Sequence, residues 1–155
     1  MYSLILTALD GSPSSEFAFN EAFMIASLAK ASLLAISVVE RAASPVDPAL
    51  PFAEVDTGRP GPQVVARALE RARNICATYD VPCVARAVDS CGDGVAATIV
   101  RVAAEQGADL IVAGTRGTHG LHRHWLGSVA EQLMRTAGCP VLLVRLPAGL
   151  CGSTG

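Results

Sequence analysis

The residues with the clearest chemical potential lie in one short segment, Gly114-Thr-Arg-Gly-Thr-His-Gly-Leu-His-Arg-His-Trp-Leu-Gly-Ser128. Its glycines, Gly114, Gly117 and Gly127 among them, admit positive φ and let backbone N–H groups approach an anion closely. Gly127 and Ser128 are placed to open a helix, whose free amides carry roughly half a positive charge at that end. The Ser128 hydroxyl and the guanidinium groups of Arg116 and Arg123 add donors suited to phosphate oxygens. No lysine precedes Ser128, so this is not a Walker loop, and it does not follow a first strand as Gly-x-Gly-x-x-Gly. On composition alone, an anion cradle and an ordinary long turn are equally good readings.

The same segment holds all three histidines of the chain, His119, His122 and His124. A His-x-His pair can ligate a metal, but no cysteine or carboxylate joins it nearby, and no metal site is assigned. A solvated or phosphate-adjacent role is expected for them. Trp125 reads either as a packing anchor beneath the loop or as part of an oligomer contact.

Such a segment needs a sheet and a helix to present it, and the flanking pattern supplies both. Ser3–Leu9 is a short apolar run ending at Asp10-Gly11, a buried strand followed by a turn. Ser12-Pro13-Ser14-Ser15-Glu16 then has the hydroxyl cap, early proline and carboxylate of a helix start, and Phe17, Ala18, Ala22, Ile25, Ala26 and Ala29 recur at helical spacing. Ser32–Val39 is a second strand. Glu40–Pro62 carries Pro45, Pro48, Pro51, Pro60 and Pro62 and reads as a long connection, either functional or a variable surface insertion. Gln63–Tyr79 is helical, Val81–Val88 a third strand, and Gly94–Gln106 a helix capped by Asp93 and stopped by Gly107. Asp109–Gly114 is a fourth strand. After the glycine-rich segment come a helix over Ser128–Thr136, closed by Gly138, and a fifth strand over Pro140–Arg145. Residues 1–146 form one domain on this reading, and 147–155 a tail. Apolar strands alternating with helices imply a parallel α/β sheet with right-handed crossovers, whose ligands bind beyond the carboxyl ends of the strands.

Composition narrows the function classes. A chain of 155 residues buries about 70% of its unfolded surface, enough for a core without staples. A net charge of -2 without a Lys/Arg run disfavours nucleic acid. The apolar stretch Ala22–Val39 is interrupted by Lys30 and changes from helix-like to β-rich, so it is read as a helix and a strand rather than a membrane span. Five cysteines (Cys76, Cys83, Cys91, Cys139 and Cys151) without C-x-x-C or zinc spacing read as small buried hydrophobes, reduced in a cytoplasm.

The spacing Gly114-x2-Gly117-x9-Gly127-Ser128 matches the motif of ATP-binding universal stress proteins, and the likeness extends over nearly the whole chain. Leu4–Asp10 with Gly11, Ser12 and Ser15 resembles that family's first strand and turn. Ala108–Gly117 is similar to its most recognisable stretch, and Cys139–Val144 to its final strand. The resemblance implies a Rossmann-like fold of the adenine nucleotide alpha hydrolase type: five parallel strands in order 3-2-1-4-5, helices on both faces. It also implies a homodimer paired through the last strand, Pro140–Arg145. It would place Asp10 by the adenine or ribose, Val38 against the base, and Gly114 and Gly117 along the ribose-phosphate turn beside Arg116. Gly127, Ser128 and Val129 would hold the phosphates of ATP with Mg²⁺. For Asp10 an Asx-turn at a strand end is the plainer alternative. Cys91-Gly92-Asp93-Gly94 departs from the Gly-x-Pro turn of many members, which bears on local geometry rather than on ligand binding.

The expected function is that of a cytoplasmic, nucleotide-dependent stress or regulatory protein with an unknown protein partner. Any ATP hydrolysis would be slow, since no positioned general base is evident beside Ser128. Three other readings compete with it: a ligand-free interaction module, an adenylyl-transfer enzyme and an FMN binder. The intact glycine spacing argues against the first. Asp10–Ser15 lacks the Ser-Gly-Gly-x-Asp-Ser-like loop that adenylyl transfer would want. FMN phosphate would fall at Ser12, Ser14 and Ser15 and leave Gly114–Ser128 unexplained.

Overall fold

A computed structural model describes residues 1–40, 60–116 and 126–147. Strand and helix alternate through them: β1 (Leu4–Ala8), α1 (Pro13–Ala29), β2 (Ser32–Val39), α2 (Pro62–Thr78), β3 (Cys83–Asp89), α3 (Val95–Gln106), β4 (Leu110–Gly114), α4 (Ser128–Thr136) and β5 (Val141–Val144). The sheet runs β3-β2-β1-β4-β5 with every pairing parallel. This is the five-stranded open sheet of order 3-2-1-4-5, with helices on both faces, that the family resemblance implies.

Two-residue periodicity explains why both faces are covered. Ile5, Leu33, Ala35, Leu110 and Val112 pack against α1 and α2, which bury Ala18, Phe19, Ala22 and Ala26 on one helix and Val65, Leu69 and Ala72 on the other. The alternate residues Leu6, Leu34, Ile36, Ile111 and Ala113 pack beneath α3 and α4, with Ile99, Val102 and Leu133 fully or nearly fully buried. Alanines on the inner helix faces let the helices lie close to the strands. At the amino edge, Asp109 accepts hydrogen bonds from the Ser3 and Leu4 amides at 2.7 and 3.3 Å, which ties the start of β1 to the start of β4.

Local signals set the element ends. Ser12 caps α1 by accepting from the Ser15 amide at 3.2 Å, Pro13 stands in the first turn, and Glu16 places a carboxylate there. Lys30 ends α1 in the left-handed conformation, and β2 begins two residues later, so Ala22–Val39 is indeed a helix followed by a strand. No described helix is long and apolar enough to cross a membrane.

Two expected stops differ. Asp93 does not cap α3; the N-cap is Gly94, at φ 81°, and the Asp93 carboxylate lies 3.9 Å from Arg101 instead. Helix α4 ends on Ala137 in an extended conformation, so the chain has already left the helix when it reaches Gly138. The second helix starts at Pro62 rather than Gln63, and the third strand at Cys83 rather than Val81. Of the cysteines, Cys76 is buried as expected, but Cys91 is exposed at φ 53° and Cys83 and Cys139 are half-buried. The connection at 41–59, the tail from 148 onward and Cys151 lie outside the described residues.

Thr7 is fully buried in β1 between Ala35 and Val112, and its hydroxyl has no hydrogen-bond partner among the described residues. An unpaired buried hydroxyl costs about 1–3 kcal/mol, and valine has nearly the same shape. Thr7→Val is therefore expected to raise the unfolding free energy by about 1 kcal/mol in urea titration. Ile99→Ala, which opens a cavity under α3, should lower it by about 2–5 kcal/mol. A destabilised Thr7→Val protein would mean that the hydroxyl has a partner.

Candidate nucleotide site

The sheet order places the reversal of winding between β1 and β4. The α1 and α2 crossovers pack on one face and those of α3 and α4 on the other. At such a reversal the loops leaving two adjacent strands diverge and open a crevice at their carboxyl ends. Asp10 follows β1 there, and Gly114, Thr115 and Arg116 end β4 beside it.

Asp10 is held by its own turn. Its Oδ1 accepts from the Ser12 amide at 2.9 Å, an Asx-turn, while its amide donates to the Ser15 hydroxyl at 3.3 Å. The plainer reading of Asp10 is thus realised, and it does not exhaust the side chain: Oδ2 has no partner among the described residues. Gly11 turns the chain at φ 79°, and a Cβ there would collide with Val64 of α2. Ser15 also donates its hydroxyl to the Ser12 carbonyl at 2.9 Å, so the α1 cap closes within its own turn. Ser14 is buried. Ser12 and Ser15 are therefore committed to capping, while the Ser14 hydroxyl is buried beside Gly114 with no hydrogen-bond partner among the described residues.

Gly114 has a structural cause that no local pattern signals. A Cβ at this position would stand 2.5 Å from the Ser14 hydroxyl oxygen and 2.9 Å from the Ser14 backbone carbon and oxygen. The first turn of α1 lies across the end of β4, and only glycine leaves it room. Beyond Gly114, the Thr115 amide donates to the Val144 carbonyl at 3.0 Å and its carbonyl accepts from the Gly127 amide at 2.8 Å. The glycine-rich segment thus leaves and returns at one point, its two ends joined by a hydrogen bond. Thr115, which the sequence reading left without a role, makes that join through its backbone, so no side-chain signal could have revealed it.

On the far side of this clamp α4 begins. Gly127 is its N-cap, in extended backbone at φ -64° and ψ 151°, and supplies no side-chain cap. The first helical bond runs from the Glu131 amide to the Gly127 carbonyl at 2.9 Å. The amides of Ser128, Val129 and Ala130 precede it, and among the described residues no side chain caps them. Glu131, the one acid in this turn, is drawn onto Arg135 at 2.8 Å. Uncapped amides at the positive end of a helix suit an anion, so the donor set fits a phosphate group.

The sequence-predicted residues therefore assemble in part. Asp10, Gly114, Arg116, Gly127, Ser128 and Val129 share the carboxyl edge around the β1–β4 reversal. Val38, half-buried near the end of β2 and paired with Val88, stands one strand away at the same edge. Gly117, His119, His122, Arg123, His124 and Trp125 lie outside the described residues. No group of three or more potential metal ligands occurs among the described residues. A shallow groove of about 340 Å³, lined by Arg67, Arg71, Asn74, Thr78 and Tyr79, runs along α2 and includes none of the predicted site residues. The carboxyl-edge chemistry, with its unpaired donors, is the better guide to a ligand than that open surface.

Comparison with known proteins agrees with this fold. A profile of the universal stress protein family matches residues 1–145. A putative universal stress protein of Staphylococcus epidermidis is 30% identical over 144 residues, which is 93% of this chain and 84% of the relative. Among solved structures, a member of the family from Burkholderia pseudomallei superposes with a TM-score of 0.66 at 32% identity, over 92% of this chain and 96% of that one. A universal stress protein solved in complex with cAMP gives 0.68 at 24% identity, over 94% and 98%. Lower in identity are a complex with dAMP from Archaeoglobus fulgidus (TM-score 0.62, 22% identity, 92% and 97% covered) and one with AMP from Arabidopsis thaliana (0.65, 18%, 98% and 97%).

Gly114→Ala should destabilise the fold by about 1–3 kcal/mol, because Ser14 presents backbone rather than a flexible tip. Thermal unfolding without added nucleotide would register this. An unchanged melting temperature would show that α1 does not rest on β4 here.

Proposed function

Because this chain belongs to the universal stress protein family, we propose that it binds an adenine nucleotide, ATP with Mg²⁺, at the carboxyl edge between β1 and β4. The observation that carries this reading is the start of α4. Three uncapped amides, at Ser128, Val129 and Ala130, stand behind an N-cap clamped to the end of β4 by the Gly127–Thr115 hydrogen bond. In this proposal those amides and the Ser128 hydroxyl receive the phosphates. Arg116 adds charge, Gly117 continues the phosphate turn, Asp10 accepts from ribose or adenine through Oδ2, and Val38 lies against the base. The family structures bound to cAMP, dAMP and AMP support the adenine and the ribose-phosphate part of this ligand.

The proposed role is to hold the nucleotide as a regulatory signal in the cytoplasm, with at most slow hydrolysis. The described part of the site offers donors and one carboxylate already engaged in an Asx-turn, an arrangement for binding rather than for activating water. Among the described residues no strand pairs with the outer edge of β5, and Leu142 on it is exposed, which supports a homodimer through the last strand. A ligand-free interaction module is the second reading. It is favoured by one finding, that Gly114 is required by the Ser14 contact whether or not a ligand is present.

Chromatography of the nucleotide released on denaturation, or taken up from solution, separates the two readings. Wild-type protein should carry or take up adenine nucleotide. Gly127 has a backbone conformation open to any residue, so Gly127→Val should fold normally yet lose uptake by at least tenfold, about 1.4 kcal/mol. Equal binding by both proteins would remove the phosphates from α4, and a flavin absorbance band would restore the FMN reading.

A further inference from the structure

Away from the nucleotide edge, α2 and β3 bring two thiols into contact. Cys76 lies in the last turns of α2 and is 1% exposed, while Cys83 opens β3 and packs half-buried against the same core. Each thiol lies close enough to shift the other's ionisation, Cys83 raising Cys76 and Cys76 lowering Cys83. Two backbone tethers bracket the pair. The Val81 amide donates to the Cys76 carbonyl at 2.9 Å and closes the intervening turn. Arg73, one helical turn before Cys76, donates through Nη2 to the Ala85 carbonyl, two residues beyond Cys83. The sulfurs are thus neighbours because the α2–β3 connection is short and tied on both sides.

We propose that Cys76 and Cys83 form a reversible oxidation site, closing an intrachain disulfide when the protein meets hydrogen peroxide. Closing a disulfide brings the sulfurs to about 2.05 Å, and the doubly tied turn holds both residues against one core on the α2 side of the sheet for that step. The two thiols have different parts. Cys83 is the one open to solvent. Burial raises its thiol above the ordinary range, and Cys76 and the Arg73 guanidinium offset only part of that rise. Burial, reinforced by Cys83, pushes Cys76 up to about 12. The thiolate therefore forms first at Cys83.

Cys83 thiolate attacks one peroxide oxygen and the O–O bond breaks. Cys83 becomes a sulfenic acid, and the departing hydroxide takes up the proton Cys83 had released and leaves as water. The Cys76 sulfur then attacks the Cys83 sulfur, the S–O bond breaks, and hydroxide departs with the Cys76 proton as a second water. Two thiols are oxidised to one disulfide and one peroxide is reduced to two waters. Cys91 is exposed but has no second thiol against it among the described residues, so its oxidation would follow a different course.

The test uses the full chain. Reduced protein is treated with hydrogen peroxide, denatured, alkylated and cut with trypsin, which releases Asn74–Arg86 with both cysteines in one peptide. The expected peptide carries no alkyl group, is lighter by two hydrogens than the free dithiol, and accepts two labels after reduction. Its rate of formation should rise about tenfold per pH unit from neutrality, as the Cys83 thiolate fraction grows. In Cys76→Ser protein, Cys83 should be trapped by dimedone as sulfenic acid without a crosslink. In Cys83→Ser protein, Cys76 should remain fully alkylatable. The wild-type map decides the matter even if a variant fails to fold. Two alkyl groups on the peptide after Cys91 has been oxidised, or Cys83 paired with any cysteine other than Cys76, overturns the proposal.

Discussion

At the carboxyl end of β4, the backbone of Gly114 touches the first turn of α1. A single added carbon would stand 2.9 Å from the Ser14 carbonyl group, so this approach exists only with glycine on one side. It brings the amino end of α1 and the end of β4 together on either side of the path leaving β1, where the crossovers change face. Asp10 then has a fixed place, because its turn is the start of the helix that the contact positions. Thr115, the next residue, is held by Val144 on one side and by Gly127 on the other, and so sets where α4 begins. The whole carboxyl edge inherits its geometry from that one approach of backbone to backbone.

Polar groups at this edge divide into those that are satisfied and those that are not. The α1 cap closes on itself through Ser12, Ser15 and Asp10, and the buried Ser14 hydroxyl is the group there without a partner among the described residues. The first turn of α4 does the opposite: glycine at its N-cap offers no side-chain acceptor, and its one acid turns to Arg135. Four described helices begin at this edge; of the two that flank the β1–β4 reversal, α1 has a side-chain cap and α4 has none. For the proposed nucleotide, that difference favours α4 as the phosphate end and leaves Asp10 for a neutral hydrogen-bonding partner. It also fits a protein that holds a nucleotide more readily than it turns one over.

Much of this was legible in the residues. The apolar runs of β1, β2 and β4 and the small-residue periodicity of α1 marked a buried parallel sheet, and Ser12-Pro13 marked a helix start almost to the residue. The site was legible where it is written in consecutive positions, as at Gly127-Ser128. It was not legible where the cause is a distant contact: Gly114 owes its identity to Ser14, 100 residues earlier, and no window contains both. Asp93 misled because it has the chemistry of a cap, while the left-handed backbone at Cys91, Gly92 and Gly94 swings it outside the helix start. Cys76 and Cys83 read as unrelated small hydrophobes, since their meeting depends on how α2 turns into β3. Side-chain type signals propensity, whereas backbone-mediated joins such as Thr115 carry no signature at all.

The central claim is that the amides opening α4 receive the phosphates of an adenine nucleotide. The most direct measurement is a series of ¹⁵N–¹H correlation spectra of the protein during titration with Mg-ATP. The account predicts saturable shifts at the Ser128, Val129 and Ala130 amides, accompanied by the amides around Asp10. Shifts confined to the α2 groove at Arg67, Arg71 and Asn74, or none at saturating nucleotide, would contradict it.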